Sequence, residues 1–261
     1  MKIGYFQYAP RFGEVEKNRS RIVEAVLQSD AELLVAPELA TSGYNFLNTA
    51  QVERMAEPIP GPTTDALHRA ASQTGSTIVT GLPEKDGDKL YNSAVVVGPE
   101  GLIGRYRKIH LFSEEKNHFT AGNDGFLLFQ VKGIQVGVLI CFDHMFPEAA
   151  RALALQGAQI ICHPSNLVLP EYGQLTSRVR ALENRVYWIL ANRWGTEKTQ
   201  ERSLTYTGNS QVVHPAGKVL IKAEASSDDI SAVEIDPEAA LDKYVTPLNS
   251  LMEDRKPQFY M

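Results

Sequence analysis

The chain has 261 residues, 43% of them hydrophobic, and a formal net charge of −5. That length and composition can bury a sizeable core, as one large domain or as two modest ones. Because phosphate binding needs a concentrated basic surface, this charge balance predicts no nucleic-acid partner.

The cysteines and the N-terminal segment bear on where the protein works. Cys141 and Cys162 are the two cysteines of the sequence, and unpaired thiols fit a reducing cytosol. Gln7, Arg11 and Glu14 interrupt the N-terminal segment, which therefore lacks the apolar core of a signal peptide. No apolar run approaches the roughly 20 residues that span a bilayer. We expect a cytoplasmic protein that does not bind a membrane.

Strands and helices alternate from the N-terminus onward. Residues 2–8 have strand composition, and residues 14–28 carry apolar side chains at helical spacing. Residues 33–36 form a short apolar run of the kind that a buried parallel strand gives, which predicts a β-α-β opening. A helix over 63–73 and a strand over 77–80 repeat the scheme. The helical stripe predicted for the first helix consists of Val15, Ile22, Val23, Val26 and Leu27.

Two hairpins and further alternation follow. Residues 93–97 and 102–106 flank the turn sequence Gly-Pro-Glu-Gly, and residues 126–131 and 134–140 flank Lys-Gly. Helices are then expected over 147–156 and 175–185, with strands over 159–162, 186–190, 210–213, 219–222 and 232–235.

The chain shows no linker, low-complexity segment or internal repeat. We therefore predict one α/β domain over residues 1–261, with a mixed sheet or two stacked sheets. Its tail, residues 237–261, combines a few large apolar residues with many charges. We expect this tail either to pack on a partner subunit or to fray.

Two charged residues follow predicted strands, where open α/β sheets bind their ligands. Glu38 lies in Ala-Pro-Glu-Leu just past the second strand, and Lys108 lies in Tyr-Arg-Lys-Ile-His-Leu-Phe after another. Apolar residues on the C-terminal side of Lys108 favour an inward orientation. Taken singly, each residue is also compatible with an exposed loop.

Cys141 ends the apolar run Val-Gly-Val-Leu-Ile and precedes the helix predicted from Pro147. A strand-to-helix turn exposes a nucleophile and places backbone N–H groups beside it. By itself, Cys141 could equally be an inert, buried cysteine packed as a small hydrophobe. Cys162 lies inside an apolar strand and is better explained by packing.

Together, these three motifs resemble the signature of the nitrilase (carbon–nitrogen hydrolase) superfamily, in its order and with its usual spacing. The similarity runs from about residue 2 to about residue 236 and is strongest to short, single-domain aliphatic amidases and archaeal nitrilase-like members. Further matching segments are Thr-Ser-Gly-Tyr at 41–44, Leu-Tyr-Asn-Ser-Ala at 90–94, Phe-Thr-Ala-Gly at 119–122, Phe-Pro-Glu at 146–148, His-Pro-Ser-Asn at 163–166 and Arg-Ala-Leu-Glu-Asn at 180–184.

The resemblance implies a catalytic triad of Glu38, Lys108 and Cys141. In these roles the Lys108 cation lowers the thiol pKa, and Glu38 accepts the thiol proton. Lys108 and the backbone N–H of Phe142 then hold the oxyanion that forms on the substrate. The second glutamate of the family falls on Glu115, which we expect to orient Lys108 and the substrate.

The resemblance further implies a four-layer αββα sandwich with two mixed β-sheets, a homodimer or larger homo-oligomer, and no metal or organic cofactor. Cys-Phe-Asp at 141–143 is closer to the amidase-like pattern than the Cys-Trp-Glu of enzymes specialised for nitriles. We therefore expect cleavage of small aliphatic amides to a carboxylic acid and ammonia through a thioester. Candidates for substrate contact, most of them chosen only by their proximity to the motifs, are Phe142, Tyr44, His144, Asn166 and Trp194.

Three alternatives remain open. The chain could be a nitrilase, or a scaffold or regulatory protein that kept the fold without activity. A Cys-His thiol hydrolase would use His144, but no residue is evident that would orient its ring, and the Glu38 and Lys108 motifs would go unexplained. No zinc-type histidine or cysteine spacing supports a metal site.

Overall fold

The computed structural model describes residues 1–260, and within that span the chain forms two large six-stranded mixed sheets with helices on their outer sides. The predicted α/β class and αββα sandwich are confirmed. The helices are α1 (Val15–Gln28), α2 (Thr49–Met55), α3 (Pro62–Thr74), α4 (Glu115–His118), α5 (Pro147–Leu155) and α6 (Tyr172–Asn184). The strands are β1 (Lys2–Gln7), β2 (Leu33–Val35), β3 (Thr77–Asp86), β4 (Lys89–Gly98), β5 (Gly101–Arg107), β6 (Leu128–Val131), β7 (Ile134–Val138), β8 (Ile160–Ser165), β9 (Tyr187–Asn192), β10 (Trp194–Lys198), β11 (Ser203–Thr207), β12 (Gln211–Val213), β13 (Val219–Lys222), β14 (Asp229–Glu234), β15 (Tyr244–Thr246) and β16 (Asn249–Ser250).

The first sheet has the strand order β14-β1-β2-β3-β4-β5. Strands β1, β2 and β3 are parallel. Parallel neighbours need long crossover connections, and these contain the helices α1, α2 and α3. Strands β3, β4 and β5 pair antiparallel, so β5 runs in the same direction as β2. The segments that follow β2 and β5 therefore leave the sheet at the same edge.

The second sheet repeats this plan with the order β13-β12-β9-β8-β7-β6. Its centre consists of the parallel strands β7, β8 and β9, which α5 and α6 connect. Helix α5 lies close over β7, since a Cβ on Gly137 would come within 2.8 Å of the Leu153 side chain. The segments after β7 and β8 likewise share one edge.

Alternating side chains on each strand build the layers. In β1, Ile3 and Tyr5 point inward and pack in one core cluster with residues of the second sheet. Phe6 on the opposite face packs outward with Ile22 of α1 and Leu67 of α3. This period-2 pattern explains why β1 is apolar on both faces: one face meets the other sheet and one meets the helices.

Most of the predicted elements are confirmed, with shifted ends. Both predicted hairpins form, β4–β5 and β6–β7, and α1, α3, α5 and α6 lie where expected. Strand β3 is longer than predicted, because its polar end pairs with β4 beyond the apolar run. Leu27 was wrongly assigned to the buried stripe of α1, since it is 47% exposed. The helices α2 and α4 and the hairpins β10–β11 and β15–β16 were not predicted.

The tail was predicted to pack on a partner or to fray, and up to residue 260 it is ordered by short elements. A 3₁₀ turn over Pro237–Ala240 precedes the β15–β16 hairpin. Lys243 Nζ donates to the backbone oxygens of Asn184 and Arg185, which attaches the tail to the end of α6. Leu248 is nevertheless 87% exposed. Met261 lies outside the described residues, and no helix within residues 1–260 combines the length and apolarity needed to cross a membrane.

Candidate active site

Glu38 lies in the loop after β2, with its side chain fully buried. This loop packs on β3, where Gly81 N–H donates to Pro37 O at 2.9 Å and Ala40 N–H donates to Gly81 O at 2.8 Å. A Cβ on Gly81 would come within 2.6 Å of Glu38 Cα and 2.4 Å of Leu39 N. Glycine is therefore needed at position 81, and this close backbone approach fixes the position of Glu38.

Lys108 follows β5 directly and is also buried. Its N–H donates to Asn92 O on β4 at 2.9 Å, and its carbonyl accepts from Gly122 N–H at 2.9 Å. A Cβ on Gly122 would lie 2.1 Å from Arg107 O, so glycine again permits the contact. Backbone bonds on both sides hold the segment that carries the lysine.

The Lys108 ammonium lies between two buried carboxylates. Its Nζ is 2.7 Å from Glu38 Oε1 and 2.8 Å from Glu115 Oε1. Burial disfavours the charged form, but the charges of Glu115 and Glu38 more than offset it, so the pKa of Lys108 is raised. The pKa of Glu115 is raised as well, chiefly by burial, with Lys108 opposing the shift. Lys108 therefore stays cationic at neutral pH.

Two polar side chains hold these carboxylates in place. Asn92 Nδ2 donates to Glu38 Oε1 at 2.7 Å, and the Tyr44 hydroxyl donates to Glu115 Oε1 at 2.6 Å. The other oxygen of Glu38, Oε2, is buried and has no hydrogen-bond partner within residues 1–260. This oxygen is therefore available to accept a proton.

Cys141 opens a 3₁₀ turn, Cys141–Met145, shortly after β7. Its φ of 43° lies in the left-handed region, which is strained for a residue with a side chain. His163 Nε2 lies 2.9 Å from Cys141 O, and Trp188 Nε1 donates to His163 Nδ1 at 3.2 Å. Because Nδ1 accepts from the indole, Nε2 carries the proton and donates to the Cys141 carbonyl. This chain of hydrogen bonds holds the strained turn.

Asp143 ties the cysteine turn to the lysine segment. Its buried carboxylate accepts from the Tyr106 hydroxyl at 2.8 Å and from Ile140 N–H at 2.8 Å, and it lies 2.6 Å from His110 Nδ1. Tyr106 and His110 flank Lys108 in sequence, whereas Ile140 directly precedes Cys141. One carboxylate thus joins the edges of the two sheets.

The Cys141 thiol is neutral at rest. Burial raises its pKa well above the usual value, and the charge of Glu38 raises it further. Lys108 lowers the pKa, as expected from the sequence, and a backbone hydrogen bond from Asn166 also lowers it, but burial outweighs both. The effect expected of Lys108 is therefore present, and burial sets the net direction of the pKa shift. These contributions also show that Glu38, Lys108 and Glu115 lie within electrostatic reach of the sulfur.

A small cavity of about 50 Å³ lies beside Cys141. Its polar lining includes His144 and Asn166, and the buried side-chain amide of Asn166 has no hydrogen-bond partner in the described part of the chain. The apolar lining consists of Phe112, Phe142, Met145, Leu167, Val168 and Leu169. Of the residues predicted to contact substrate, Phe142, His144 and Asn166 thus line this space.

The other two predicted contact residues lie elsewhere. Tyr44 does not line the cavity but donates to Glu115. Trp194 begins β10, donates through Nε1 to Asp228 Oδ1 at 2.7 Å, and lines a separate cavity that includes Tyr206. Proximity to the motifs in the sequence therefore did not predict which side chains line the cavity beside Cys141.

His144 does not resemble a nucleophile's base. Its Nδ1 lies 2.6 Å from Thr176 Oγ1, so a residue that orients the ring does exist, contrary to the sequence-based expectation. However, burial and the nearby Arg180 lower the pKa of His144 to about 4. Cys162 packs in the core, as predicted. Across residues 1–260, the His, Cys, Asp and Glu side chains form no group of three that could hold a metal ion.

The sequence motifs do not predict the roles of several site residues. Asn92, Asp143 and His163 all lie inside the matching segments, but the motifs do not show which groups they contact. Glu197 accepts from the N–H groups of Tyr44 and Asn45, at 3.1 and 2.8 Å, and so anchors the loop that carries Tyr44. Its position, over 150 residues away in sequence, gave no local signal.

Comparison with known proteins agrees with this geometry. Residues 2–242 match the family model described as carbon–nitrogen hydrolase. A protein named nitrilase from Pyrococcus abyssi is 44% identical over 264 residues, covering 100% of this chain and 99% of the relative. An (R)-stereoselective amidase from a Pseudomonas species is 37% identical, covering 90% of this chain and 85% of the relative.

Solved structures show the same fold. A mutant amidase from Nesterenkonia sp. AN1, with acrylamide added to its active-site cysteine, superposes with a TM-score of 0.78 at 26% identity, covering 93% of this chain and 96% of that one. The match covers almost the whole chain and agrees with the cluster of Glu38, Lys108 and Cys141, so it identifies the family. The chain belongs to the carbon–nitrogen hydrolase family, within the nitrilase superfamily and among its short, single-domain members.

Proposed function

We propose that this carbon–nitrogen hydrolase cleaves small aliphatic amides to a carboxylic acid and ammonia through a thioester on Cys141. The observation that carries the proposal is the Lys108 ammonium, held 2.7 and 2.8 Å from two buried carboxylates that act electrostatically on the same thiol. A buried ion cluster of this kind beside a strained cysteine is costly to maintain without function.

In the first step, Glu38 takes the thiol proton while the sulfur attacks the amide carbonyl carbon. Because the raised pKa keeps the thiol protonated at rest, the transfer accompanies the attack rather than preceding it. The carbonyl electron pair moves to oxygen, where the Lys108 ammonium and the Phe142 backbone N–H stabilise it. The first N–H groups of a helical turn have no partner inside the turn, which suits Phe142 to this role.

In the second step, the carbonyl re-forms, the carbon–nitrogen bond breaks and Glu38 returns its proton to the departing nitrogen. Ammonia leaves and an acyl thioester remains on Cys141. Glu38 then removes a proton from water, which attacks the thioester, and the carboxylic acid departs as the thiol is restored. Glu115, fixed by Tyr44, orients Lys108 throughout.

Nitrile hydrolysis is a second candidate, favoured by one observation. The relative from Pyrococcus abyssi that is 44% identical along the whole chain carries the name nitrilase. A nitrile would add the same sulfur to its carbon, and two water additions would then give the acid and ammonia. The chemistry at Cys141, Lys108 and Glu38 would be shared, so only substrate comparison separates the two activities.

The test measures ammonia released from matched pairs of short aliphatic amides and nitriles. We expect amides to be turned over faster, and we expect mass spectrometry to find an acyl adduct on Cys141. Cys141→Ala should abolish release, whereas Cys162→Ala, in the core, serves as the matched control. Turnover of nitriles alone would assign the second activity. Ammonia release that survives Cys141→Ala would refute the mechanism.

We further propose that the chain forms a homodimer through the outer face of α6, to which the tail would contribute. Four apolar side chains recur along this helix, and each is at least 40% exposed: Tyr172, Leu175, Val179 and Leu182. An exposed apolar stripe of this kind marks an association surface. Sedimentation measurements on Leu175→Glu test this dimer, with Lys198→Glu as the control, since only Leu175→Glu should give monomers.

We also propose a cytoplasmic location, which the two unpaired cysteines support.

A further inference from the structure

The cavity beside Cys141 is uncharged along its lining. Of the ten side chains that line it, six are the apolar residues named above, and the rest are Cys141, His144, Asn166 and Tyr172. None of these ten is an Asp, Glu, Lys or Arg. His144 adds no cation at neutral pH, since its pKa is lowered to about 4 by burial and by Arg180.

The charged groups next to this space are already engaged. Lys108 is shared between Glu38 and Glu115, whose Oε1 atoms lie 2.7 and 2.8 Å from its Nζ. Arg180 donates through Nε to His144 O at 3.3 Å and through Nη1 to Glu183 Oε1 at 3.0 Å. A carboxylate on the substrate would therefore find no free cation among these groups.

The cavity is also small, and part of its lining is closely packed. A water molecule needs about 10–15 Å³, so a cavity of about 50 Å³ holds only a few atoms. Leu167 packs closely on α6, since a Cβ on Gly173 would lie 2.2 Å from Leu167 Cδ1. Phe112 and Phe142 pack against each other with ring centroids 5.1 Å apart.

From these observations we infer that the site selects amides with a short, apolar, uncharged acyl group and rejects amides that carry a second, terminal carboxylate. This inference rests on the proposed amidase function and specifies its substrate class. The lining supplies apolar contact for a chain of a few carbons, and Asn166 supplies the unpaired polar group that can meet the amide itself. An anionic acyl chain would lose its hydration without gaining a partner.

The experiment compares butyramide with succinamic acid, whose chain is similar in length but ends in a carboxylate, and with the neutral diamide succinamide. We expect kcat/KM for butyramide to exceed that for succinamic acid by about 100-fold or more, because the carboxylate would lose its hydration in the cavity without gaining a partner. The kcat/KM for succinamide should lie between these two values, because succinamide has the size of succinamic acid but no charge. The comparison therefore separates the effect of charge from that of size. Equal or faster turnover of succinamic acid would overturn the inference.

A charge placed at the cavity provides the second measurement. Met145 lines the cavity but is 39% exposed, so an arginine there can keep its head in water. Met145→Arg should reduce the ratio of kcat/KM for butyramide to kcat/KM for succinamic acid, because the arginine offers the carboxylate a partner. The neutral control Met145→Gln should leave this ratio unchanged. An unchanged ratio in a folded Met145→Arg protein would contradict the assignment.

Binding to Cys141→Ala, measured by calorimetry, gives the same comparison without turnover. Tighter binding of butyramide than of succinamic acid supports the inference, and the reverse order overturns it. If the unmutated protein released no ammonia from any amide, the proposed function would be refuted instead. Failure of the inference and failure of the proposed function are therefore distinguishable.

Discussion

The side-chain amide of Asn92 donates to the same oxygen of Glu38 that contacts the Lys108 ammonium, Oε1, at 2.7 Å. Both donors therefore hold one oxygen, while Oε2 has no partner among residues 1–260. The carboxylate is asymmetric before any substrate arrives. One oxygen fixes its position, and in the proposed mechanism the other exchanges the proton with sulfur, nitrogen and water.

Replacing Asn92 with alanine should lower kcat more than it raises KM. A hydrogen bond to a charged group contributes about 1.5–3 kcal/mol, so a loss of about 10- to 100-fold in kcat is expected. Steady-state ammonia release measures it, with Asn249→Ala in the exposed tail as the control. A rise in KM at constant kcat would show that Asn92 serves binding instead.

Replacing Glu38 with glutamine should separate thiol ionisation from amide hydrolysis. Burial is the largest cause of the raised Cys141 pKa and persists in the variant, but the second cause, the charge of Glu38, is removed. The Cys141 pKa should therefore fall, so the variant forms thiolate at a lower pH than the parent. Because general acid–base catalysis contributes about 10²- to 10⁴-fold, ammonia release should drop by that order.

The pH dependence of iodoacetamide alkylation at Cys141, followed by mass spectrometry, measures the thiol pKa in this variant. Ammonia release measures the loss of hydrolysis. The midpoint of alkylation should shift to lower pH in Glu38→Gln and stay in place in Glu16→Gln, which changes an exposed glutamate of α1. A midpoint that moves upward, or hydrolysis that persists without the carboxylate, would contradict Glu38 as the proton acceptor.

Substitution of Gly81 should damage stability and activity together. An alanine Cβ would lie 2.4 Å from Leu39 N and 2.6 Å from Glu38 Cα, so either β3 or the Glu38 loop must move. Overpacking of this kind typically costs about 1–3 kcal/mol. Urea unfolding should show the loss for Gly81→Ala. Gly104→Ala is the control, because its nearest neighbour is the end of the Leu127 side chain at 3.1 Å. Equal stability of the two variants would contradict the close approach.

Local patterns predicted the parts of this molecule whose structure is decided locally. The apolar run before Glu38 and the turn between β6 and β7 were read correctly because periodicity and turn residues encode them. The β10–β11 hairpin was missed because Trp194–Lys198 is half exposed and lacks an apolar run.

The candidate site shows the same limit. Motif order suggested that Glu38, Lys108 and Cys141 act together, but the sequence could not show which groups would surround them. The net rise in the Cys141 pKa depends on burial, which is a property of the folded site. Likewise, Trp188 reaches His163 from 25 residues away across two neighbouring strands, and no local pattern encodes that contact.

Asp143 offers a test of how the two sheet edges are kept in register. Its Oδ2 accepts from both the Tyr106 hydroxyl and Ile140 N–H, while Oδ1 faces His110. In Asp143→Asn, one of these oxygens becomes an NH₂ group that faces existing donors. Leaving a buried donor unsatisfied costs about 1–3 kcal/mol, so the free energy of unfolding should fall by that amount.

The same substitution should lower kcat with little change in KM, because Asp143 positions the Lys108 and Cys141 segments without lining the cavity. Tyr106→Phe removes a single donor and leaves the carboxylate intact, so it should show a smaller loss of both stability and kcat. Urea unfolding and steady-state kinetics on the three proteins give the comparison. If Asp143→Asn loses stability but keeps its kcat, the carboxylate serves folding alone and the two segments are aligned by other contacts.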